Sequence, residues 1–330
     1  MTSELRNWQY RYRIRFGIPA YEEVDYYAEG SLVGSYLLSL VGIGAGVTTV
    51  TQDIPSDALW ISNIPEDGDN YDIRGFDFSL DTKREMSPQA QGNEVSVLQI
   101  KNISPKMYDL FNTKGCVVYI DAGYKDTGVN LVYSGFVERV DVMNAGNDVL
   151  YKMTMKDVGI DVKNTKVSVD FDEATDVVTA LNSLAKMFPS VTSTNIVLEA
   201  LNGVVVDGGF SFEGKLIDNM EKVCKTYEID YSFLNGRFVA RPTKLFQGDA
   251  SYNKISPNTF VFESENIKSV DFVNNNAQKE LNQKDTKRDV VLTTFLTPVT
   301  FDNFFTIPES VYEKFAGTYK VKTIGVRLNS

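Results

Sequence analysis

Val117-Val-Tyr-Ile-Asp-Ala-Gly123-Tyr124 and Leu131-Val-Tyr-Ser-Gly135-Phe-Val137, joined through Asp126-Thr-Gly128, decide how this chain folds. Val117 and Tyr119 share one phase of a two-residue period, as do Leu131, Tyr133 and Gly135. Side chains alternate between the two faces of a strand, so this period marks a half-buried antiparallel strand. It continues outward through Phe76, Phe78 and Leu80 on one side and Val149, Tyr151, Met153 and Met155 on the other. Ser87-Pro88, Asn93, Ser104-Pro105, Thr113-Lys-Gly115, Ala122-Gly123 and Asn144-Ala-Gly146 interrupt it with residues that supply turn geometries. Short strands at this spacing from Ile73 to Gly159 predict a sandwich or barrel.

The order of three strings in this block resembles a known family. Val95-Ser-Val-Leu-Gln-Ile-Lys-Asn102-Ile103-Ser104, the strand ending in Ala122-Gly123-Tyr124, and Leu131-Val-Tyr-Ser-Gly135-Phe-Val are similar to the first barrel of baseplate hub proteins of tailed bacteriophages. Leu296-Thr-Pro298, Phe305-Thr-Ile307-Pro308 and Gly317-Thr-Tyr-Lys-Val-Lys-Thr-Ile-Gly-Val326 resemble that family's second barrel. The resemblance implies a mainly β (α+β) chain with two antiparallel β-barrel domains and an intervening small α/β module. It also implies a homotrimer whose paired barrels form a ring, adapting a sixfold tail tube to a threefold spike and leaving a channel for DNA ejection. The implied partners are the tail tube protein, the central spike protein, the tape measure protein and other baseplate proteins. The implied location is the virion tail, assembled in the bacterial host cytoplasm. No string is an enzymatic signature, and none carries over an active site.

The domain expectation is a barrel over 1–165 with an apolar insertion at about 30–52, an α/β module over 166–245 and a second barrel over 246–330. In the module, Val177, Leu181, Leu184 and Phe188 share a helical face that Asp172 is expected to cap and Pro189 to end. Leu216, Met220, Val223 and Tyr227 mark a second helix, and Asn235-Gly236 between alternating apolar residues is a strong hairpin signal. Residues 242–257 read as a polar link, and Asn274 to Asp285 as an exposed loop.

Among the 330 residues, 43% are hydrophobic and 12% aromatic, enough to fill two or three cores and to exclude general disorder. Lys and Arg number 33 against 44 for Asp and Glu, a net charge of −11 that repels polyanions. Sequence-specific nucleic-acid binding is therefore not expected, since phosphate contacts provide most of that affinity. An acidic wall does suit a conduit through which DNA slides. Arg11, Arg13 and Arg15 alternate with Tyr10, Tyr12, Ile14 and Phe16 and read as the polar face of a half-buried strand rather than an anion site. Cys116 and Cys224 lie in apolar runs without ligand spacing and read as buried free thiols. The N-terminal residues do not read as a secretory signal.

From Gly30 to Gln52 there is no charged residue. Ser31 to Val50 approaches the roughly 20 apolar residues that a membrane-crossing helix needs, yet acidic flanks and Gly42, Gly44 and Gly46 oppose one. An apolar insertion at a subunit contact is the favoured reading, with membrane anchoring by residues 31–50 as the alternative. The subunit and partner contacts are accordingly placed at Tyr10, Tyr12, Leu32, Leu37, Leu38, Val41 and Ile43.

The chain contains no histidine, which excludes Ser-His-Asp and Cys-His catalysis and the two-His zinc motifs. Carboxylate chemistry on glycans remains an alternative, with Glu138 and Asp141 or Asp170 and Asp172 as arbitrary pairs. Asp67, Asp69 and Asp72 around Gly68 lack the rest of a calcium loop, and Asp170, Asp172, Glu173 and Asp176 read as helix-start acids. Gly42-Ile-Gly-Ala-Gly46 departs from the dinucleotide fingerprint. No catalytic residue, cofactor or metal is expected.

Overall fold

A computed structural model of the chain describes residues 9–18, 21–24, 47–50, 59–70, 76–89, 95–157, 165–188, 190–206, 208–245, 249–255, 259–273 and 289–329. The fold is mainly β. The chain divides into two compact units, one of Met1–Lys254 with Lys322–Ser330 and the other of Ile255–Val321.

In the larger unit the strands are β1 (Tyr10–Gly17), β2 (Tyr21–Val24), β3 (Val47–Val50), β4 (Leu59–Ser62), β5 (Phe78–Glu85), β6 (Val95–Lys101), β7 (Val117–Tyr124), β8 (Gly128–Ala145) and β9 (Asp148–Lys156). They continue as β10 (Lys166–Phe171), β11 (Ser193–Ile196), β12 (Phe210–Lys215), β13 (Ile229–Leu234) and β14 (Arg237–Pro242). The smaller unit holds β15 (Phe260–Val261), β16 (Ile267–Val273), β17 (Asp289–Thr294), β18 (Phe304–Ile307) and β19 (Gly317–Lys320), and β20 (Thr323–Asn329) follows in the larger one. Eight strands form one sheet in the order β20-β5-β6-β9-β8-β7-β1-β4, with every pairing antiparallel. Among the described residues β4 and β20 stand at its two ends.

The alternation read in the sequence is the burial pattern of β5 and β6, whereas β7 is buried on both faces from Val117 to Gly123. Ile14, Phe16, Leu80, Leu98, Ile100, Val118, Ile120, Met153 and Met155 are buried on one face. Each such side chain contributes roughly 1.5–3 kcal/mol on leaving water. Helix α1 (Pro105–Phe111) adds Met107 and Phe111, whose ring lies 4.4 Å from Phe16. Ser104 caps α1 by accepting the Met107 N–H at 3.3 Å, so Ser104-Pro105 starts a helix instead of only breaking a strand.

The three resemblance strings fall where backbone geometry is demanding. Asn102 has a φ of 54° and its amide bonds Asp148 and the Val149 N–H. At Gly123 a Cβ would lie 1.9 Å from the Gly128 carbonyl oxygen. At Gly135 one would lie 2.3 Å from the Tyr133 hydroxyl and 2.6 Å from the Lys156 carbonyl oxygen. The strings therefore record where only particular residues fit.

Two helices and two small sheets lie between Lys166 and Pro242, within the larger unit. Helices α2 (Val177–Lys186) and α3 (Leu216–Thr226) bury Leu181, Leu184, Met220 and Val223 against Tyr231, Phe233 and Phe238. Strands β11, β14 and β13 form one sheet, with β11 parallel to β14, and β10 pairs with β12. The cap of α2 is Asp176, which accepts the Thr179 N–H at 2.7 Å, and not Asp172. Asp172 closes a tight turn instead, accepting from the Ala174 N–H and the Thr175 hydroxyl. The expected polar link contains helix α4 (Ala250–Ile255), whose Ser251 hydroxyl accepts the Glu199 N–H at 3.0 Å.

In the smaller unit β15, β18 and β19 form a three-stranded sheet and β16 pairs with β17. Phe305 stacks on Tyr319 at 5.2 Å. The expected second barrel included the end of the chain, but β20 pairs with β5, Leu328 opposite Leu80 and Val326 opposite Thr82. The Lys322 carbonyl accepts the Met86 N–H at 2.9 Å, which fixes the returning chain on the larger unit's sheet. The string Gly317–Val326 thus crosses from one unit to the other.

Cys116 and Cys224 are free and fully buried. Burial pushes the Cys116 thiol up to about 12; burial, then Asp230 and Glu221, push Cys224 up as well. Neither is expected to react with a thiol reagent in the native protein at about pH 8, whereas both react in denaturant. In alkali the unfolded thiols lose protons that the native ones keep. Stability therefore falls as pH rises above about 9, by about 1.4 kcal/mol per pH unit for each thiol. Urea midpoints at two alkaline pH values, with Cys116→Ala flattening the slope, check this.

Candidate assembly interface

Strand β1 lies between β7 and β4, and its two faces have different fates. Tyr12 was expected at an interface but is only 2% exposed. It packs edge-on against Phe78 at 4.6 Å, and its hydroxyl accepts the Phe76 N–H at 3.2 Å. Alternation separates two faces without saying which one packs, and the aromatic face fills the core. Tyr10, at the strand's start, is half-buried with its ring 5.9 Å from Tyr12 and 6.5 Å from Tyr124.

The arginines on the opposite face are held by acids. Arg11 meets Glu66 at 3.4 Å, Arg13 bonds Asp67 through its Nε at 2.7 Å, and Arg15 pairs with Asp121. Arg13 also lies over Trp60 at 5.6 Å and Arg15 over Tyr119 at 6.0 Å. Burial pushes the Asp67 carboxyl up, but hydrogen bonds from Arg13 and Ser62 outweigh it and hold the group below its usual range. This stripe pins the 3-10 turn Pro65–Asn70 over the sheet, and Asp67 serves an ion pair within that turn. Glu138 pairs with Lys156, and Asp141 with Arg139 at 3.0 Å.

Leu32, Leu37, Leu38, Val41 and Ile43 lie outside the described residues. The bases of their segment are described: β2 and β3 pair antiparallel, Val24 opposite Val47 and Tyr21 opposite Val50. The chain therefore returns at Val47 to where it left at Val24. No helix among the described residues is long and apolar enough to cross a membrane.

Strand β8 is the exposed element. It pairs with β7 over Gly128–Phe136 and with β9 over Phe136–Ala145, with register shifts in both ladders. Beyond Glu138 it has β9 on one side and, among the described residues, no strand on the other. Val142 and Met143 on this open edge are 47% and 41% exposed. A long open edge with apolar side chains is a template for pairing with another chain.

Where β8 parts from β9, its other backbone groups meet side chains. The Val132 carbonyl accepts from Arg84 Nη1 at 3.2 Å, and the Ser134 N–H donates to Asn235 Oδ1 at 2.8 Å. Arg84 Nε bonds both Asp157 oxygens at 2.9 Å and its Nη2 bonds one at 2.6 Å, with both side chains almost wholly buried. Arg84 Nη2 also donates to Asn235 Oδ1 at 2.9 Å, and the guanidinium covers the Tyr133 ring at 4.6 Å. Asn235 and Gly236, with φ of 52° and 75°, form the tight turn of the β13–β14 hairpin. The backbones of Ser87 and Tyr231 exchange two hydrogen bonds beside it, so the module's hairpin seals the open flank of the sheet.

Arg84 and Asp157 did not stand out in the sequence. Their signal is phase: Arg84 continues Phe78, Leu80 and Thr82, and Asp157 continues Met153 and Met155, each placing a charge on the inward side. Asn235→Gly keeps the turn geometry and removes only the acceptor. It is expected to cost about 1–3 kcal/mol, measured by urea unfolding, because the Ser134 N–H is left buried and unpaired.

The architecture is that of a mainly β chain with an open-edged sheet and a sealed-on α/β element. No protein-family profile and no curated protein sequence matches the chain. Solved structures similar to it include the tail protein from Neisseria meningitidis MC58, at 12% identity and a TM-score of 0.40 over 59% of this chain. The 43 kDa tail protein of prophage MuSo2 from Shewanella oneidensis matches at 9% and 0.44, over 78% of this chain and 95% of that one. The E. coli c3393 protein, a component of the type VI secretion system, matches at 5% and 0.45, over 77% of this chain and 70% of that one. This chain spans 54% of the Neisseria protein's length. At these identities and scores no property of those proteins passes to this chain.

Proposed function

We propose that this chain is a non-catalytic structural protein of a phage tail, a baseplate hub that assembles with copies of itself. The observation that carries the reading is the open edge of β8 beyond Glu138 with its exposed Val142 and Met143, a surface suited to another chain's strand. The hub resemblance in the sequence supports the finer reading. In it a homotrimer forms the ring between a sixfold tail tube and a threefold spike, contacts the tape measure protein and other baseplate proteins, and leaves a channel for DNA ejection. It acts in the virion after assembly in the bacterial cytoplasm.

Negative-stain imaging with native mass determination tests the reading. A threefold ring with a hole of about 20 Å, wide enough for B-form duplex, is the expected result. A monomer that stays single with tube and spike proteins present overturns it. Val142→Lys with Met143→Glu is expected to abolish the ring while changing stability by only about 0.5 kcal/mol, as surface substitutions do. A ring that survives both changes removes β8 from the interface.

A further inference from the structure

The seam between the sheet and the α/β element encloses a cavity of about 10 Å³, lined in part by Ser134, Gly135, Asp157, Ser190 and Gly236. Ser190 is only 6% exposed, and no protein group bonds its hydroxyl. Leaving a buried hydroxyl unbonded is costly, so such groups in folded proteins find a partner, often an ordered water. The space is about that of one water centre and too small for a larger ligand. Each side contributes a polar group, Ser190 from the α/β element and Asp157 from the sheet, amid the otherwise largely apolar Val117, Tyr119 and Phe136. Asp157 is already neutralised by Arg84, so a cation placed there would face the guanidinium with no free charge to balance it.

We propose that this cavity is a binding site for one structural water, which pairs with the Ser190 hydroxyl and donates to the Asp157 carboxylate. The water adds a link across the seam beside the direct bonds that Asn235 makes to Arg84 and to the Ser134 N–H.

A crystal structure of the full chain at about 1.8 Å resolution tests the site. One density peak within hydrogen-bonding distance of Ser190 Oγ and an Asp157 oxygen is expected. An empty cavity, or Ser190 Oγ bonded directly to a protein acceptor, overturns the proposal. In solution, a long-lived water should show a cross-peak to the Ser190 amide and lose it in Ser190→Val, whose added methyl fills the space. Absence of that cross-peak in the unsubstituted chain, or its persistence in the variant, also overturns the assignment.

Discussion

Asp157→Ala is expected to lower the unfolding free energy by about 3–5 kcal/mol, the scale on which loss of one partner strands a buried charge. Arg84 remains protonated at any ordinary pH, so it cannot escape by neutralising itself. Both side chains are about 99% buried, and Asp157 takes three of the guanidinium's hydrogen bonds. Burial pushes the Asp157 carboxyl above its usual range, with Arg84 pulling against it. Arg84→Met combined with Asp157→Leu removes both charges and is expected to recover part of the loss. Recovery stays incomplete because the Val132 carbonyl and Asn235 Oδ1 each lose the bond they accept from Arg84. Urea unfolding of Arg84→Met, Asp157→Leu and the double gives the coupling directly. A single variant as stable as the parent would show that the pair is solvated rather than buried.

Gly123→Ala is expected to cost about 3 kcal/mol or more, the upper end of what overpacking does. The added methyl would sit 1.9 Å from the Gly128 carbonyl oxygen and 2.9 Å from the Gly128 carbonyl carbon and Val129 Cα. All three are backbone atoms of the β7–β8 hairpin, so no rotamer change relieves the contact. Gly128→Ala is the control: its φ is +76° but nothing lies within 4 Å of an added Cβ. It should cost only the left-handed strain of about 1–2 kcal/mol. If the two substitutions cost the same in urea, the close approach at Gly123 is not what that glycine provides.

The legible parts of the fold are those written locally. The two-residue period located the sheet, the helical faces located α2 and α3, and Asn235-Gly236 located the β13–β14 turn. Partner choice is not local. β20 reads as well in one sheet as in another, because an edge strand's sequence does not name the strand it joins. Arg84 meets Asp157 across 73 residues and Asn235 across 151. Only the inward phase of the two charges hints at that meeting. Asp172 and Asp176 both suit a helix start, and the tight turn at Asp172 decides between them. The contacts expected at Tyr10 and Tyr12 sit on a strand whose alternation separates two faces without saying which one packs, and those expected at Leu32, Leu37, Leu38, Val41 and Ile43 lie outside the described residues. The exposed edge of β8 was missed because a strand of 18 residues with a change of partner reads as two strands.

The return of β20 to the sheet of β5 has a consequence in time. Val326 and Thr82 bond across 244 residues, so β5 leaves the ribosome long before its outer neighbour exists. At roughly 5–20 residues per second, that wait is about 12–50 s. Until then the Leu80 side of the sheet has an unfilled flank, and a chain cut short anywhere in the smaller unit keeps it permanently. Synthesis past the smaller unit is thereby coupled to closure of the sheet's outer strand, so only chains that extend through β20 can present a finished surface to their neighbours.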